Sequence, residues 1–258
     1  MSYSKIANAK GQKLAYFYYQ GTTDLPTLLF CGGFKSDMMG SKAVYLEQQA
    51  KLRGQSYVRF DYSGHGLSEG RFEDGTIGLW CADALTIIDE VITGPVLIAG
   101  SSMGGWIALL CARARPERIA GFLGIAAAPD FTIDLFTRFS PAQQQEFKQQ
   151  GFLAVPNDYS DDPYIFTQAL LDDGAAHCVL NSADKLAINC PVYLVQGQCD
   201  AEVPWQTAQK ISAHITGQNV IIELIKDAAH NVSRPQDLIR LDKAVNHLNA
   251  AINTPPMS

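Results

Sequence analysis

Apolar residues in this chain fall into short continuous runs separated by segments of helical period. Residues 12–19, from Gln12 to Tyr19, are rich in β-formers and predict an early, half-exposed strand. Thr27–Cys31 is unbroken apolar sequence, the pattern of a strand in a sheet covered on both faces. Residues 41–53 then take helical spacing through Val44, Leu46 and Leu52, and Tyr57–Phe60 predicts another strand. Over 76–92, Ile77, Trp80, Ala84, Ile87, Ile88 and Val91 share one helical face. Gly94-Pro95 ends that helix, Val96–Ala99 is a further buried run, and Trp106, Ile107, Leu109 and Leu110 open the next helical pattern. Ile119–Ala126 is again a buried strand. Regular alternation of strand and helix predicts an α/β fold with a mostly parallel central sheet flanked by helices.

The pattern changes at Pro129. From Asp130 to Asn189 no buried-strand run occurs, only short helical patterns at Ile133–Phe139, after Ser140-Pro141, and over Tyr164–Asp172. Ser140 suits an N-cap and Pro141 the first helical position. The expectation is a small helical lid, residues 130–188, inserted into a core of residues 1–129 and 189–258. Its aromatic residues (Phe131, Phe136, Phe139, Phe147, Phe152, Tyr164 and Phe166) either line a pocket or hold the lid together. The core resumes with a strand over Cys190–Gly197, a helix over Thr207–His214 and a strand over Asn219–Ile225. A loop from Lys226 to Arg234 leads to a last amphipathic helix from Pro235 to about Ala251, and Asn253–Ser258 reads as a loose tail.

Composition narrows the function classes. The 258 residues suffice for one buried core with an insertion. The net charge is −6 and no Lys/Arg cluster occurs, so nucleic acid is not an expected partner. The stretch Met1–Lys5 lacks the apolar segment of a signal peptide, and no run approaches the length of a membrane span. Six cysteines lie scattered without metal-ligand spacing. They read as reduced, mostly buried thiols of a cytoplasmic protein with no metal and no cofactor.

Candidate chemistry centres on Gly100-Ser101-Ser102-Met103-Gly104, a Gly-x-Ser-x-Gly between a predicted strand and a predicted helix. So tight a strand-to-helix turn strains the serine backbone and requires small residues two positions either side. Ser101 fails that test, because Ala99 and Met103 flank it. A serine hydroxyl needs a base, and the base an orienting acid, in the chain order Ser, Asp/Glu, His. Of five histidines, His214 and His247 fall within helices, His177 in the lid and His65 in a Gly-rich loop, at the surface or a pocket rim. His230 alone follows the last predicted strand, which makes it the candidate base. Asp200, in the loop after the preceding strand, is the candidate acid, with Asp130 as runner-up. Glu202 and Asp227 read as turn and loop formers, and Asp61 as a turn-stabilising carboxylate. The backbone N–H groups of Met103 and Phe34 are the expected oxyanion donors.

With these residues in view the chain resembles the α/β-hydrolase superfamily over nearly its whole length. The resemblance rests on Gly32-Gly33-Phe34, Asp61-Tyr62-Ser63-Gly64-His65-Gly66, Gly100 to Trp106, Gly197-Gln198-Cys199-Asp200 with Val203-Pro204-Trp205, and His230. Many members carry His-Gly where this chain has Gly32-Gly33. Within the superfamily, Arg59 to Gly64, the serine turn, His177-Cys178 and Asn189-Cys190-Pro191 make it similar to palmitoyl-protein thioesterases that also cleave acyl glucuronides. The resemblance implies Ser102, Asp200 and His230 as a catalytic triad. It also implies hydrolysis of carboxylic esters or acyl thioesters, with a small-molecule acyl compound or an acylated protein as substrate. C–C bond hydrolysis of dienoic ring-cleavage products on the same triad is the alternative, and a non-catalytic binding protein a further one. Dehalogenases and epoxide hydrolases of this fold carry a carboxylate where Ser102 stands.

Overall fold

The computed structural model describes residues 3–157 and 163–253. Its strands are β1 (Ser4–Ala7), β2 (Lys13–Tyr19), β3 (Thr27–Cys31), β4 (Tyr57–Phe60), β5 (Val96–Ser101), β6 (Ile119–Ile125), β7 (Phe152–Val155), β8 (Tyr164–Thr167), β9 (Val192–Gly197) and β10 (Val220–Ile225). Eight of them form one sheet in the order β1-β2-β4-β3-β5-β6-β9-β10. Pairing is antiparallel between β1 and β2 and between β2 and β4, and parallel from β4 to β10.

Helices cover both faces, which is why the central strands carry no polar alternation. On one face α1 (Ser41–Arg53) and α8 (Pro235–Asn253) bury Ala43, Leu46, Leu241 and Val245 against Leu28, Phe30, Leu97 and Ala99. On the other, α2 (Ile77–Glu90), α3 (Met103–Ala114) and α7 (Gln206–His214) pack on Leu29, Cys31, Val96 and Ile98. Odd and even positions of β3 and β5 thus feed two separate cores, as the two-residue period of a strand requires. Thr76 caps α2 by accepting the N–H of Leu79 at 3.2 Å.

Between β6 and β9 the chain carries α4 (Leu135–Arg138), α5 (Pro141–Gln150), β7, β8 and α6 (Gln168–Ala176). Ser140 and Pro141 start α5 as expected, and Gln143 completes a capping box. The helix expected over Tyr164–Asp172 is corrected. Its first four residues form β8, paired antiparallel with β7, and α6 begins only at Gln168. Tyr164, Ile165, Phe166 and Thr167 are all β-formers, and Thr167 then caps α6 through the N–H of Leu170. The helical pattern over Ile133–Phe139 shrinks to the single turn α4. β1 answers to no expectation, since an edge strand with mostly exposed residues leaves no hydrophobic trace. The tail read over Asn253–Ser258 lies, beyond Asn253, outside the described residues. Among the described residues no helix is long and apolar enough to cross a membrane.

Candidate active site

The turn from β5 into α3 has no spare room. A Cβ on Gly100 would meet the Gly104 carbonyl oxygen at 2.2 Å, and one on Gly104 would meet the Cys31 oxygen at 2.1 Å. Glycine is therefore required at both positions. Between them Ser102 takes φ +54° and ψ −120°, a conformation sparsely occupied by residues with a Cβ. Its N–H donates to Ile125 O (2.9 Å), while its own carbonyl accepts from Gly105 N (2.9 Å) and Ala128 N (3.0 Å). The strained residue is thus pinned to β6 and α3.

The side chains of Ser102, His230 and Asp200 meet at the carboxyl ends of β5, β9 and β10. Ser102 Oγ lies 2.9 Å from His230 Nε2, and His230 Nδ1 lies 2.8 Å from Asp200 Oδ2. Close approach of the two loops depends on Gly197, where a Cβ would sit 2.2 Å from Ala228 O. Lys42 Nζ donates to the Asn231 carbonyl at 2.6 Å and ties the histidine loop to α1. The Asp200 side chain is fully buried. Its Oδ1 accepts the N–H groups of Glu202 (2.9 Å) and Val203 (2.8 Å), and Oδ2 also accepts from Gln196 Nε2 (2.8 Å). Burial alone would raise the Asp200 pKa. The hydrogen bond from His230 and those from the Val203 and Glu202 backbone outweigh it and hold the carboxyl below its ordinary value. An ionised Asp200 fixes the imidazole with its proton on Nδ1, leaving Nε2 free to accept from Ser102.

The loop after β3 runs directly against Ser102, for a Cβ on Gly33 would come 3.5 Å from the Ser102 Cβ. Gly33 O accepts from Ser36 N (3.2 Å) and Ser36 Oγ (2.8 Å). The Phe34 N–H, on the opposite edge of that peptide plane, donates to no acceptor among the described residues. Met103 is the first residue of α3, so its N–H has no partner within the helix. The site opens into a cavity of about 650 Å³, within the usual range for small-molecule pockets. Phe34, Phe131, Leu135, Tyr164, Phe166 and Val203 form its apolar walls. Of the aromatics read in the 130–188 segment, Phe131, Tyr164 and Phe166 reach this cavity. Phe136, Phe139 and Phe147 pack on one another instead, and Phe152 is 41% exposed.

The remaining candidates are committed elsewhere. The Asp130 carboxylate accepts the N–H groups of Val179, Leu180 and Asn181, each at 2.8 Å, and so clamps residues 179–181 rather than a histidine. Asp227 pairs with Arg234 at 2.8 Å. Asp61 accepts Met38 N (2.6 Å) and Leu67 N (2.8 Å) and stabilises two loops. His177 Nδ1 lies 2.8 Å from Asp173 O, His214 Nε2 lies 2.9 Å from Asp184 O, and His247 packs edge-on against Tyr193. Glu202 is more than a turn former, because its Oε2 stands 3.6 Å from His230 Nε2.

His65 corrects its expectation. It is 3% exposed, enclosed by Tyr62, Phe72 and Trp80, and burial pushes its pKa down to about 4. Its Nε2 accepts the N–H of Lys35 at 3.2 Å. A Gly-rich polar loop predicts exposure, whereas Tyr62 just before it and Phe72 and Trp80 further along the chain close over the ring. Gln196, which donates to Asp200, is a further functional residue, and a polar side chain near the end of an otherwise apolar strand is its legible signal.

Comparison with known proteins agrees with this architecture. The alpha/beta hydrolase family model matches residues 28–241. The human mitochondrial palmitoyl-protein thioesterase ABHD10 is 33% identical over 245 residues, covering 93% of this chain and 79% of its own. Among solved structures, a hydrolase from Agrobacterium vitis S4 superposes with a TM-score of 0.91 at 36% identity, over 96% of this chain and 98% of its own. Mouse alpha/beta hydrolase domain-containing protein 10 superposes with a TM-score of 0.87 at 32% identity, with the same coverage of 96% and 98%. The match of the family model over residues 28–241, with a relative 33% identical over 93% of the chain, makes this chain a member of the alpha/beta hydrolase family.

Proposed function

We propose that this chain is a serine hydrolase that cleaves carboxylic esters or acyl thioesters through an acyl-enzyme. Ser102 is the nucleophile, His230 the general base and Asp200 the acid that orients it. The observation that carries the reading is the unbroken path from Ser102 Oγ to His230 (2.9 Å) and on to Asp200 (2.8 Å).

Ser102 Oγ attacks the acyl carbon as its proton passes to His230 Nε2. Asp200 keeps the ring in the competent tautomer and stabilises the imidazolium. The oxyanion of the tetrahedral intermediate accepts from the backbone N–H groups of Phe34 and Met103. The C–O or C–S bond then breaks as Nε2–H protonates the leaving group. Water, deprotonated by the same nitrogen, attacks the acyl-enzyme; the carboxylic acid leaves and Ser102 regains its proton.

In this reading residues 130–188 act as a lid on a core of residues 1–129 and 189–258. The apolar walls at Phe131, Tyr164 and Phe166 receive the acyl chain. Relatives named palmitoyl-protein thioesterases support a long acyl thioester, carried by a small molecule or a protein, as the substrate. All six cysteines are unpaired, which suits a reducing compartment such as the cytoplasm. A chain-length series of p-nitrophenyl esters beside matched acyl thioesters tests the assignment. Hydrolysis that rises toward long acyl groups is expected, and reaction with only the shortest would contradict the palmitoyl-like substrate.

A further inference from the structure

The loop that carries Phe34 contains a strained turn, and the group that holds it comes from a neighbouring strand end. Gly33–Ser36 close a tight turn through the bond from Ser36 N–H to Gly33 O at 3.2 Å. Lys35, its third residue, has φ +56°, a left-handed conformation that disfavours any residue with a Cβ. Such a residue persists only where its surroundings over-determine it. Here the Lys35 N–H is received by His65 Nε2 at 3.2 Å, and His65 Nδ1 lies 3.3 Å from Ser63 O. Nε2 accepts only when the ring proton is on Nδ1, and Ser63 O then receives that proton. Both contacts therefore select one neutral tautomer.

The ring has little freedom. Phe72 and Trp80 pack edge-on against it at 5.1 Å each, and the same two rings touch Phe34 at 4.9 and 5.8 Å. The imidazole and the Phe34 side chain thus share one aromatic cluster. The outer part of the loop is held separately, by Asp61 on Met38 N and by Lys35 Nζ on Pro163 O at 2.8 Å. The peptide joining Phe34 to Lys35 is left to His65.

We propose that His65 is a positioning residue: by accepting the Lys35 N–H it holds the Gly33–Ser36 turn so that the Phe34 N–H faces the acyl oxygen. This rests on the assignment of Ser102 as nucleophile and Phe34 as oxyanion donor. His65 touches no reacting atom. Its contribution falls where charge develops on the acyl oxygen and not on binding of the acyl chain, so kcat changes and KM does not.

Two amide variants test it. In His65→Gln the side-chain oxygen reaches the position of Nε2, whereas in His65→Asn it reaches only that of Nδ1. Both bury the same polar group. With a p-nitrophenyl ester, His65→Gln is expected to keep kcat within about threefold of the wild type, and His65→Asn to lose about thirtyfold, both at unchanged KM. Equal kcat for the two variants, or a loss confined to KM, overturns the role of His65. The wild-type protein gives an independent answer should the variants fail to fold. Imidazole 15N spectra are expected to show the Nδ1–H tautomer for His65, and an Nε2–H tautomer overturns the proposal. Failure of the underlying reading looks different. A Ser102→Ala variant as fast as the wild type removes both assignments, whereas equal Gln and Asn rates in a Ser102-dependent enzyme remove only that of His65.

Discussion

Ser102 and Phe166 line the same cavity, yet the two sides that carry them are held together differently. On the serine side backbone packs on backbone. Gly100, Gly104 and Cys31 approach so closely that no Cβ fits, and β3 and β5 are buried along their whole length. On the Phe166 side, side chains join the segment between β6 and β9 to the sheet and its helices: Phe166 stacks on Phe34 at 5.2 Å and Phe131 packs edge-on against Trp106. Gly78 N–H donates to Asp173 at 2.6 Å and Trp106 Nε1 to His177 O at 3.1 Å, while within the segment Asp130 holds residues 179–181. The first arrangement leaves the Ser102 turn no room to shift. The second rests on side chains that can be replaced one at a time.

The largest effect belongs to the serine side. Asp200→Asn is expected to lower kcat by about 10⁴-fold with little change in fold, because the amide favours the wrong histidine tautomer. Steady-state kinetics on an activated ester measure this, and a loss below tenfold would remove Asp200 from the mechanism. Its lowered pKa keeps Asp200 ionised below the ordinary carboxylate range. The acid limb of the kcat/KM profile is therefore expected not to arise from Asp200.

A pair of glycine substitutions sharpens the contrast in stability. Gly104→Ala forces backbone apart and is expected to lower the unfolding free energy by about 3 kcal/mol. Gly151→Ala has open space around it, and only the positive φ of +75° opposes it. Its expected loss is about 1 kcal/mol. Urea unfolding of both variants checks the ranking, and equal losses would break the distinction drawn between the two sides.

The same contrast governs what is legible in the sequence. Strands buried on both faces leave unbroken apolar runs, so Thr27–Cys31 and Val96–Ala99 stand out without any structure. The meeting of Ser102, Asp200 and His230 is legible because each residue type sits just past the end of such a run. The hairpin of β7 and β8 is not, since each strand has only four residues. A run of aromatics that short satisfies helical and strand periods equally. His65 fails for another reason. Its burial is supplied by Tyr62, Phe72 and Trp80, and nothing within Ser63-Gly64-His65-Gly66 announces them. Glu202 reads locally as a turn former, which its backbone is, while the approach of its carboxylate to His230 is a tertiary fact.

Smaller effects are expected on the Phe166 side. Asp130→Ala leaves the N–H groups of residues 179–181 without their acceptor and is expected to cost about 2 kcal/mol. Hydrogen exchange is expected to quicken at 179–181 and to stay unchanged in β5; parallel loss in β5 would show that the two sides unfold as one. Phe166→Ala is expected to reduce kcat/KM for long acyl chains by about tenfold while sparing short ones. A uniform loss across the chain-length series would deny Phe166 a place in the acyl wall.

The proposed chemistry depends on which oxygen becomes acylated. The most direct measurement is to treat the protein with a fluorophosphonate, digest it, and locate the adduct by mass spectrometry. A single adduct on Ser102, absent from Ser102→Ala, is the expected result. An adduct on another residue, or undiminished labelling of Ser102→Ala, would contradict the assignment.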